Sequence, residues 1–273
     1  MDHVGSFVLD VEDGRRFTLM KSMDNTKDFQ GVTVLVTGAS SGIGAAAATA
    51  FGARSAHVLI HYNRQEIEAR SVVERVRNAG GQGELLQADL STMGGVRSLA
   101  QALAGRRIDV LVNNAGSLIQ RTRVLDFTEE LWEQVLTLNL TSAFFLAKAV
   151  LAGMVERKSG FVVNISSVAA RDGGGLGALA YATAKGALST MTKGLAKEFA
   201  PSGVRINAVS PGTINTNYHR NFSNDQILNA VKAATPMARL GTAEEVADVI
   251  LFLCSNEARF IQGQVIEVNG GFS

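Results

Sequence analysis

Two side chains four residues apart have the types and the spacing for proton transfer. Tyr181 and Lys185 lie in the segment Tyr-Ala-Thr-Ala-Lys, near the start of a predicted helix over residues 179–200. Residues four apart share one helix face, so the phenol and the ammonium group would be neighbours. A free phenol has a pKa of about 10, and a nearby positive charge favours the phenolate and lowers that pKa. The pair could therefore act as general acid and base near neutral pH. The alternative is an exposed Tyr/Lys pair without a chemical role.

A glycine-rich segment could hold phosphate groups. Gly38, Gly42 and Gly44 lie in Thr-Gly-Ala-Ser-Ser-Gly-Ile-Gly, between a β-branched run at 32–36 and an Ala-rich predicted helix at 43–54. Glycines let the backbone approach a pyrophosphate closely, and the helix N-terminus presents free N–H groups and the positive end of its dipole. The spacing is Gly-x3-Gly-x-Gly instead of Gly-x-Gly-x-x-Gly. Taken alone, the segment could equally be an ordinary turn between a strand and a helix.

Further polar groups recur where predicted strands end or in the helices that follow. They are Asn113–Gly116, Asn139, Asn164–Ser167 and Asn207–Gly212. In an open parallel sheet, ligands bind at the carboxyl ends of the strands. We therefore expect these groups, the glycine segment and the Tyr/Lys pair to form one site.

The elements that must position this site alternate regularly from residue 31 to residue 273. Strands are predicted at 32–36, 57–61, 84–87, 108–112, 161–165, 204–209 and 264–268. Helices are predicted at 43–54, 65–78, 92–104, 129–154, 179–200 and 243–253. This alternation indicates right-handed βαβ units. The predicted fold is a single α/β domain, a Rossmann-type doubly wound parallel sheet of about seven strands with helices on both faces. Residues 1–30 lack a regular period and are predicted to be an N-terminal extension.

Composition excludes several classes of protein. Hydrophobic residues make up 46% of the 273 residues and charged residues 19%, which excludes global disorder. The 26 Lys and Arg against 25 Asp and Glu give a net charge of +1, which provides no basic field for nucleic acid. The single cysteine, Cys254, cannot form an internal disulfide and is predicted to be a buried small hydrophobe. The four histidines do not have the spacing of metal ligands, so no metal is expected.

The location of the protein can also be predicted. No apolar run reaches the roughly 18 residues of a membrane span. The chain does not begin with a basic segment followed by an apolar stretch, as a signal peptide would. We expect a cytoplasmic protein with no membrane contact.

In this order and combination, the motifs closely resemble those of the short-chain dehydrogenase/reductase family in its single-domain form, from about Gly31 to Gly271. The resemblance implies an oxidoreductase that interconverts a carbonyl and a secondary alcohol by hydride transfer from or to a nicotinamide cofactor. It implies that Tyr181 is the general acid/base and that Lys185 also holds the nicotinamide ribose. Ser167, with Ser166 as the alternative, would donate a hydrogen bond to the substrate carbonyl. Asn139 would help to hold a proton-relaying water, or would be a satisfied interior amide.

The resemblance also implies the cofactor contacts. Asp89 would bind the adenine, although a helix N-cap is the competing interpretation. Ile214 and Thr216 would contact the nicotinamide carboxamide. The full set of candidates is Gly38, Ser40, Ser41, Gly42, Ile43, Gly44, Tyr62, Asn63, Arg64, Asp89, Leu90, Asn113, Ala115, Gly116, Tyr181, Lys185, Pro211, Gly212, Ile214 and Thr216.

The end of the second predicted strand favours NADP(H) over NAD(H). Family members that prefer NAD carry an acid there, and residues 55–65 contain neither Asp nor Glu. Arg64 could pair with a 2′-phosphate, with Asn63 and Ser41 as neutral donors. The alternative for Arg64 is a solvated residue at a helix start.

The substrate is predicted less directly. Three segments should form the pocket wall: 117–123, 168–178 and 213–235. The last contains a predicted mobile lid, Asn215–Phe222, which includes Tyr218 and Phe222. The segments Gly241–Ala247 and Gly263–Val265 resemble 3-oxoacyl-carrier-protein reductases, but sugar and polyol dehydrogenases share them. Lys158 matches one of two basic positions usual in the carrier-protein enzymes, whereas Ser202 occupies the second.

Two further expectations concern the class of protein and its assembly. We expect a 3-oxoacyl thioester reductase, with a sugar, polyol or small-ketone dehydrogenase as the alternative and a non-catalytic nucleotide-binding regulator as the remote one. The family commonly pairs its two long helices across two-fold axes, here 129–154 and 180–200. A homotetramer or homodimer is therefore expected.

Overall fold

Seven parallel strands form the central sheet in the computed structural model, which describes residues 8–10, 16–18, 28–216 and 225–272. Two short strands, β1 (Val8–Asp10) and β2 (Arg16–Thr18), pair antiparallel apart from this sheet. The strands of the central sheet are β3 (Thr33–Val36), β4 (His57–Tyr62), β5 (Gln82–Gln87), β6 (Val110–Asn113), β7 (Gly160–Ile165), β8 (Val204–Pro211) and β9 (Val265–Val268). The predicted Rossmann-type sheet is confirmed.

The order of the strands creates the crevice in which a ligand can bind. The sheet runs β5-β4-β3-β6-β7-β8-β9. The chain moves outward from β3 through β4 to β5, and then returns to β6 and proceeds in the opposite direction. At such a reversal the loops after the two neighbouring strands diverge and leave an opening at their carboxyl ends. The glycine-rich segment follows β3, and Asn114–Gly116 follows β6, so both lie at this opening.

The described ranges contain nine helices. They are α1 (Gly42–Gly52), α2 (Glu66–Asn78), α3 (Met93–Ala102), α4 (Glu129–Leu136), α5 (Ser142–Arg157), α6 (Ala169–Asp172), α7 (Leu179–Phe199), α8 (Asp225–Ala234) and α9 (Ala243–Leu253). The residue pattern did not predict the short helix α6 or the helix α8. Residues 217–224, which include Tyr218 and Phe222 of the predicted lid, lie outside the described residues.

The two faces of the sheet carry separate hydrophobic cores. Side chains of successive strand residues point to opposite faces. Val34 and Val36 therefore pack with α1, α2 and α9, whereas Leu35 packs with α3 and α5. All three side chains are fully buried. A strand that is apolar at every position is the expected result when helices cover both faces of a parallel sheet.

The packed domain begins before the predicted boundary at residue 31. Phe29 is buried and its ring meets that of Phe51 edge to face, with 5.0 Å between the ring centroids. Its backbone N–H also donates to the carbonyl of Arg54. Residue 29 is therefore part of the core around α1. Of the predicted extension, the structure describes only 8–10, 16–18 and 28–30.

The long helix predicted at 129–154 is divided by a wider turn. Helix α4 ends at Leu136, a π-helical turn covers Thr137–Thr141, and α5 begins at Ser142. Asn139 lies in this turn and is buried. Extra residues of this kind in a helix often occur at functional sites, because they redirect one side chain or carbonyl.

Among the described residues, the stretch Glu129–Arg157 is long and apolar enough to cross a membrane, by length and composition only. The sequence-based expectation concerned an unbroken apolar run of roughly 18 residues, and Asn139 and Lys148 interrupt the apolar residues of this stretch. Leu146, Val150 and Met154 of this stretch are buried in the core against the sheet. A core helix that covers a sheet meets the same measure as a membrane helix.

Candidate active site

A cleft of about 970 Å³ lies at the carboxyl ends of the strands and gathers most of the predicted site residues. The predicted residues that line it are Gly38, Ser40, Ser41, Gly42, Ile43, Asn63, Arg64, Asp89, Leu90, Ala115, Gly116, Ser167, Tyr181, Lys185, Pro211, Gly212, Ile214 and Thr216. They come from loops after β3, β4, β5, β6, β7 and β8, and from α7. Residues separated by almost 180 positions in the sequence thus share one cavity.

Four predicted residues do not line this cleft. Tyr62 packs in the hydrophobic core, and Asn113 is buried where its side-chain amide donates to Asn164 Oδ1. Gly44 lies behind the loop: a methyl group there would be 2.5 Å from Asn114 Nδ2 and from the Gly38 carbonyl oxygen. Asn139 lies behind Gly116. Tyr62, Asn113 and Gly44 thus make structural contacts within the protein and do not line the cleft.

The glycine loop has the geometry of an anion site. Gly38 (φ +61°) and Gly42 (φ +54°) adopt the left-handed backbone conformation that favours glycine. Ser41 precedes α1 in an extended conformation, and its side chain makes no capping hydrogen bond. Ser41 therefore supplies no side-chain acceptor for the first N–H groups of α1, whose first two residues, Gly42 and Ile43, line the cleft. Thr216 stands over the same loop, because a methyl group on Gly42 would lie 3.3 Å from its Cγ2. These features fit the pyrophosphate of a dinucleotide.

Two polar side chains hold the loops after β3 and β6 together. Thr37 Oγ1 accepts hydrogen bonds from the N–H groups of Asn114 and Ala115, both at 2.9 Å. The amide of Asn114 donates to the carbonyls of Thr37 and Gly38 at 2.8 and 3.0 Å. The two edges of the crevice are thus fixed to each other before any ligand binds.

Lys185 is buried at the base of the cleft. It is 2% exposed, its Nζ donates to the Ile165 carbonyl at 2.7 Å, and Nζ lies 5.6 Å from the centre of the Tyr181 ring. Burial lowers the pKa of Lys185 from 10.5 to about 8. Its charge state therefore changes close to neutral pH, next to the phenol with which it was predicted to pair.

The two adjacent serines after β7 differ in what their hydroxyls do. Ser166 is buried, and its hydroxyl donates to the Lys185 carbonyl at 3.1 Å and contacts the Ser189 hydroxyl at 2.7 Å. The Ser167 hydroxyl oxygen accepts from the Ala169 N–H at 3.2 Å and lines the cleft. Because the Ser167 oxygen acts as acceptor in that contact, its proton can be donated to a ligand. The Ser166 hydroxyl is instead engaged with α7.

Gly116 brings Asn139 and Lys185 to the same place. A methyl group on Gly116 would lie 2.7 Å from Asn139 Oδ1 and 3.0 Å from Lys185 Nζ. The amide of Asn139 donates to the carbonyls of Ser117 and Val135, and its Oδ1 accepts from the Ser117 N–H. The Asn139 side chain is therefore buried with both its oxygen and its nitrogen hydrogen-bonded to the backbone. It fixes the loop at Ser117 beside Lys185.

Asp89 does not cap the following helix. Its Oδ1 accepts from the N–H and the hydroxyl of Ser91, at 3.0 and 2.7 Å. Helix α3 is capped by Thr92, whose side chain accepts from the Gly95 N–H. The helix N-cap interpretation of Asp89 is therefore wrong. Its carboxylate is held in a local turn at the edge of the cleft, on the β5 side.

The two positions compared with the carrier-protein enzymes lie at the other end of the sheet. Lys158 is the left-handed residue after α5, two positions before the first residue of β7. Ser202 ends the 3-10 turn two positions before the first residue of β8. Both therefore adjoin the amino ends of the strands, whereas the cleft lies at the carboxyl ends. Within one chain, neither residue lines the cleft.

The buried lysine makes stability depend on pH in a defined way. In the unfolded chain Lys185 keeps its proton up to about pH 10.5, whereas in the folded chain it releases the proton near pH 8. Between these values the unfolded state binds more protons, so raising the pH stabilises the folded state. Relative to a Lys185→Met variant, the wild-type free energy of unfolding should rise by about 3 kcal/mol across this interval. Urea unfolding of both proteins at about pH 7, 8, 9 and 10 measures how the difference between their free energies of unfolding changes with pH. A difference that does not change with pH would contradict it.

A methyl group at Gly116 should disturb the chemistry while leaving the fold intact. Gly116→Ala would push against Asn139 and Lys185, and displacement of a reacting group by about 1 Å can reduce the rate about 100-fold. We expect a loss of that order in kcat, measured by steady-state kinetics. The matched control is Gly194→Ala in α7, where no heavy atom lies within 4 Å of the new methyl group. The control should keep full activity and gain up to about 1 kcal/mol of stability. Equal activity of the two variants would contradict the prediction.

Several residues of the cleft were not predicted as site residues. His61 is buried and lines the cleft, and Asn114 bridges the loops described above. Ser117 holds Asn139, and the Gln65 Oε1 accepts from the Ser40 hydroxyl at 2.9 Å. His61 could have been found from its place at the end of β4, because polar residues at strand ends marked the rest of the site.

The chain is similar to known oxidoreductases over nearly its whole length. A family model described as enoyl-(acyl carrier protein) reductase matches residues 38–273. A 3-oxoacyl-[acyl-carrier-protein] reductase from Synechocystis is 40% identical, over 87% of this chain and 95% of the relative.

Solved structures agree with this similarity. A Brucella melitensis 3-oxoacyl-[acyl-carrier protein] reductase with bound NAD is 34% identical, with a TM-score of 0.83, over 93% of this chain and 96% of that one. A Beutenbergia cavernae protein, provisionally described as an NAD(P)-dependent gluconate 5-dehydrogenase, carries NADP at low occupancy. It is 36% identical, with a TM-score of 0.84, over 89% of this chain and 97% of that one. With the glycine loop, the Tyr/Lys pair and the sheet order described above, these matches show that the chain belongs to the short-chain dehydrogenase/reductase family of nicotinamide-dependent oxidoreductases.

Proposed function

We propose that the protein reduces a 3-oxoacyl thioester with NADPH, a reaction that converts the 3-carbonyl to a secondary alcohol. One observation supports this type of reaction above all. Tyr181, Lys185 and Ser167 line the same cavity as the glycine loop. A dinucleotide on that loop would extend across the crevice toward these side chains. When bound, the reduced nicotinamide supplies the hydride.

The roles of the protein side chains follow from their donors and acceptors. Tyr181 donates its phenolic proton to the carbonyl oxygen as the carbon is reduced. Ser167 donates a hydrogen bond to the same oxygen and stabilises the charge that develops on it. Lys185, held by Ile165, provides the positive charge that makes the phenol a stronger acid and binds the nicotinamide ribose. Asn139 keeps the loop at Ser117 against this group.

The preference for NADPH rests on the loop after β4. Arg64 is exposed and lines the cleft beside Ser40 and Ser41 of the glycine loop. A guanidinium group at this position suits a 2′-phosphate. None of the residues between 55 and 65 is acidic, so no carboxylate there repels the phosphate.

The apolar part of the lining favours an acyl chain over a sugar. Ile227, Leu228 and Val231 of α8 face the cleft, as do Leu118 and Ile119 from the loop after β6. A polyol in contact with this surface would leave its hydroxyl groups without partners, which costs binding energy. An acyl chain loses water-exposed apolar area there, which favours binding.

Assembly and location are part of the same proposal. Trp132 and Phe144 on α4 and α5, and Phe252 and Phe260 near the end of the chain, expose large apolar areas. Such areas mark interfaces when they are contiguous. We propose a homotetramer in the cytoplasm. Light scattering of the purified protein tests the assembly, and a mass of one or two chains would contradict it.

A substrate panel tests the proposed reaction. Purified protein is mixed with NADPH and, separately, an acetoacetyl thioester, a small ketone, a keto sugar acid or a quinone. The expected result is loss of nicotinamide absorbance with the thioester at a kcat/KM at least about ten times that with any other compound. Preference for the keto sugar acid would overturn the thioester assignment. Tight NADPH binding without turnover of any carbonyl would favour a regulator.

A further inference from the structure

His61 is a buried imidazole between two loops of the cleft. It is 2% exposed and lies next to the last residue of β4. Its Nδ1 accepts the Gly38 N–H at 3.0 Å, and its Nε2 lies 3.1 Å from the carbonyl oxygen of Ala88. A carbonyl can only accept and an N–H can only donate. The ring therefore carries its proton on Nε2 and is neutral.

The two groups that His61 binds belong to opposite ends of a nucleotide site. Gly38 begins the glycine loop after β3, where the backbone turns into the left-handed conformation. Ala88 directly precedes Asp89, whose carboxylate lies at the edge of the cleft after β5. Strands β3 and β5 are not neighbours, because β4 lies between them. Among the described hydrogen bonds, those of the His61 ring are the side-chain link that joins Gly38 to the loop after β5.

The surroundings keep this ring in its bridging form. Burial lowers the pKa of His61 from 6.5 to about 4, against the opposing influence of the Ala88 carbonyl and Asp89. The acceptor at Nδ1 is thus available throughout the range in which enzymes commonly work. The His61 carbonyl also accepts the Ala39 N–H at 2.8 Å. Consecutive N–H groups of the glycine loop are therefore both bound to one residue, so the loop cannot shift without breaking both bonds.

We propose that His61 is a positioning residue for the dinucleotide, acting through the backbone at Gly38 and Ala88, because both of its ring nitrogens are bound to the protein. His61 holds these two loops at a fixed separation. The phosphate-binding and adenine-binding parts of the cleft therefore have the right spacing before the dinucleotide binds. This inference rests on the proposed binding of a dinucleotide in the cleft. Its effect should fall on dinucleotide affinity and leave the chemical step unchanged, because His61 has no contact with Tyr181, Lys185 or Ser167 among the described hydrogen bonds.

Three substitutions at one position separate the two hydrogen bonds. In His61→Asn the amide oxygen can occupy the place of Nδ1 and accept the Gly38 N–H. In His61→Gln the longer side chain can place its amide nitrogen near the Ala88 carbonyl but offers no acceptor at Gly38. His61→Leu removes both partners and leaves the Gly38 N–H and the Ala88 carbonyl without these hydrogen bonds, so the two loops are no longer held together. The matched control is His57→Leu in the same strand, because His57 is half-buried and lies 3.8 Å from Glu84 on the surface.

The dissociation constant for NADPH, measured by titration of nicotinamide fluorescence, is the deciding quantity. We expect an increase of about tenfold or more for His61→Leu, recovery to within about threefold of wild type for His61→Asn, and no change for His57→Leu. At saturating NADPH, kcat and the KM for the thioester should remain within about twofold of wild type for each folded variant. A variant that merely folded poorly would not lose NADPH affinity while keeping kcat and KM, and its NADPH affinity would not be restored by His61→Asn.

The outcomes that overturn the inference are distinct from failure of the proposed function. Unchanged NADPH affinity in His61→Leu, or equal affinities in His61→Asn and His61→Gln, overturns the positioning role. If His61→Leu does not fold, the comparison of His61→Asn with His61→Gln decides the question in the same way. Wild-type protein that binds NADPH but reduces no thioester overturns the substrate assignment and leaves this inference standing. Wild-type protein that binds no dinucleotide overturns both.

Discussion

A Tyr181→Phe variant is expected to bind NADPH as tightly as the wild-type protein while its turnover falls by about 10²- to 10⁴-fold. The change removes one hydroxyl group and keeps the ring beside Lys185, whose Nζ lies 5.6 Å from the ring centre. Proton transfer by a positioned side chain contributes a factor of this size to many enzymes. Without the phenolic proton, reduction would leave an alkoxide stabilised only by the Ser167 hydroxyl and by water.

The control for this prediction is present in the same chain. Tyr62→Phe makes the same chemical change in a residue that packs in the hydrophobic core and does not line the cleft. Its turnover should stay within about twofold of wild type. Fluorescence titration with NADPH and steady-state kinetics of both variants complete the test. If Tyr181→Phe retained a tenth or more of wild-type turnover, Tyr181 would not be the acid.

The second large effect is expected at the cofactor, in an Arg64→Ala variant. A charge-assisted hydrogen bond to phosphate is worth about 1.5–3 kcal/mol, or a factor of roughly 10 to 100 in affinity. The KM for NADPH should rise by that factor, and the KM for NADH, which has no 2′-phosphate, should remain within about twofold. Arg64 is exposed and lines the cleft, and among the described residues no ion pair joins it to a carboxylate.

The preference should change further when the charge is reversed. Arg64→Asp replaces the cation with an acid that would repel a 2′-phosphate, and should make NADH the better cofactor. Arg70→Ala is the matched control, because Arg70 lies on the exposed side of α2 and pairs with Glu66. Its KM values should be those of wild type. Equal losses with NADPH and NADH in Arg64→Ala would show that Arg64 does not recognise the 2′-phosphate.

Much of the fold could be predicted because its causes are local in sequence. The run of apolar residues in β3, such as Val34 and Leu35, is explained by burial on both faces of the sheet. The alternation of strands with amphipathic helices then left few possible topologies. The division of the predicted helix 129–154 at Thr137–Thr141 could not be predicted in this way. Asn139 in this turn binds the backbone of Ser117, a contact between elements that the local sequence pattern does not show.

The site was predictable where a motif carries its own geometry. Tyr181 and Lys185 share a helix face whatever the rest of the fold does, and both line the cleft. It was harder to predict which residue at the end of a strand lines the cleft, because the side chains of adjacent strand residues point in opposite directions. Tyr62 accordingly packs in the core, while its neighbour His61, which was not predicted, lines the cleft. The structural role of Gly44 could not be predicted for another reason. Its close contact with Asn114 involves a loop 70 positions away in the sequence.

The transfer of deuterium from labelled NADPH tests the central claim most directly. The cofactor carries deuterium at both positions of the reducing carbon of its nicotinamide ring, and the product of the acetoacetyl thioester is analysed by mass spectrometry. Our account predicts one deuterium in each product molecule, on the carbon that bears the new hydroxyl, and no labelled product with Tyr181→Phe beyond its residual rate. A product without deuterium at that carbon, or no product from any carbonyl compound, would contradict the account.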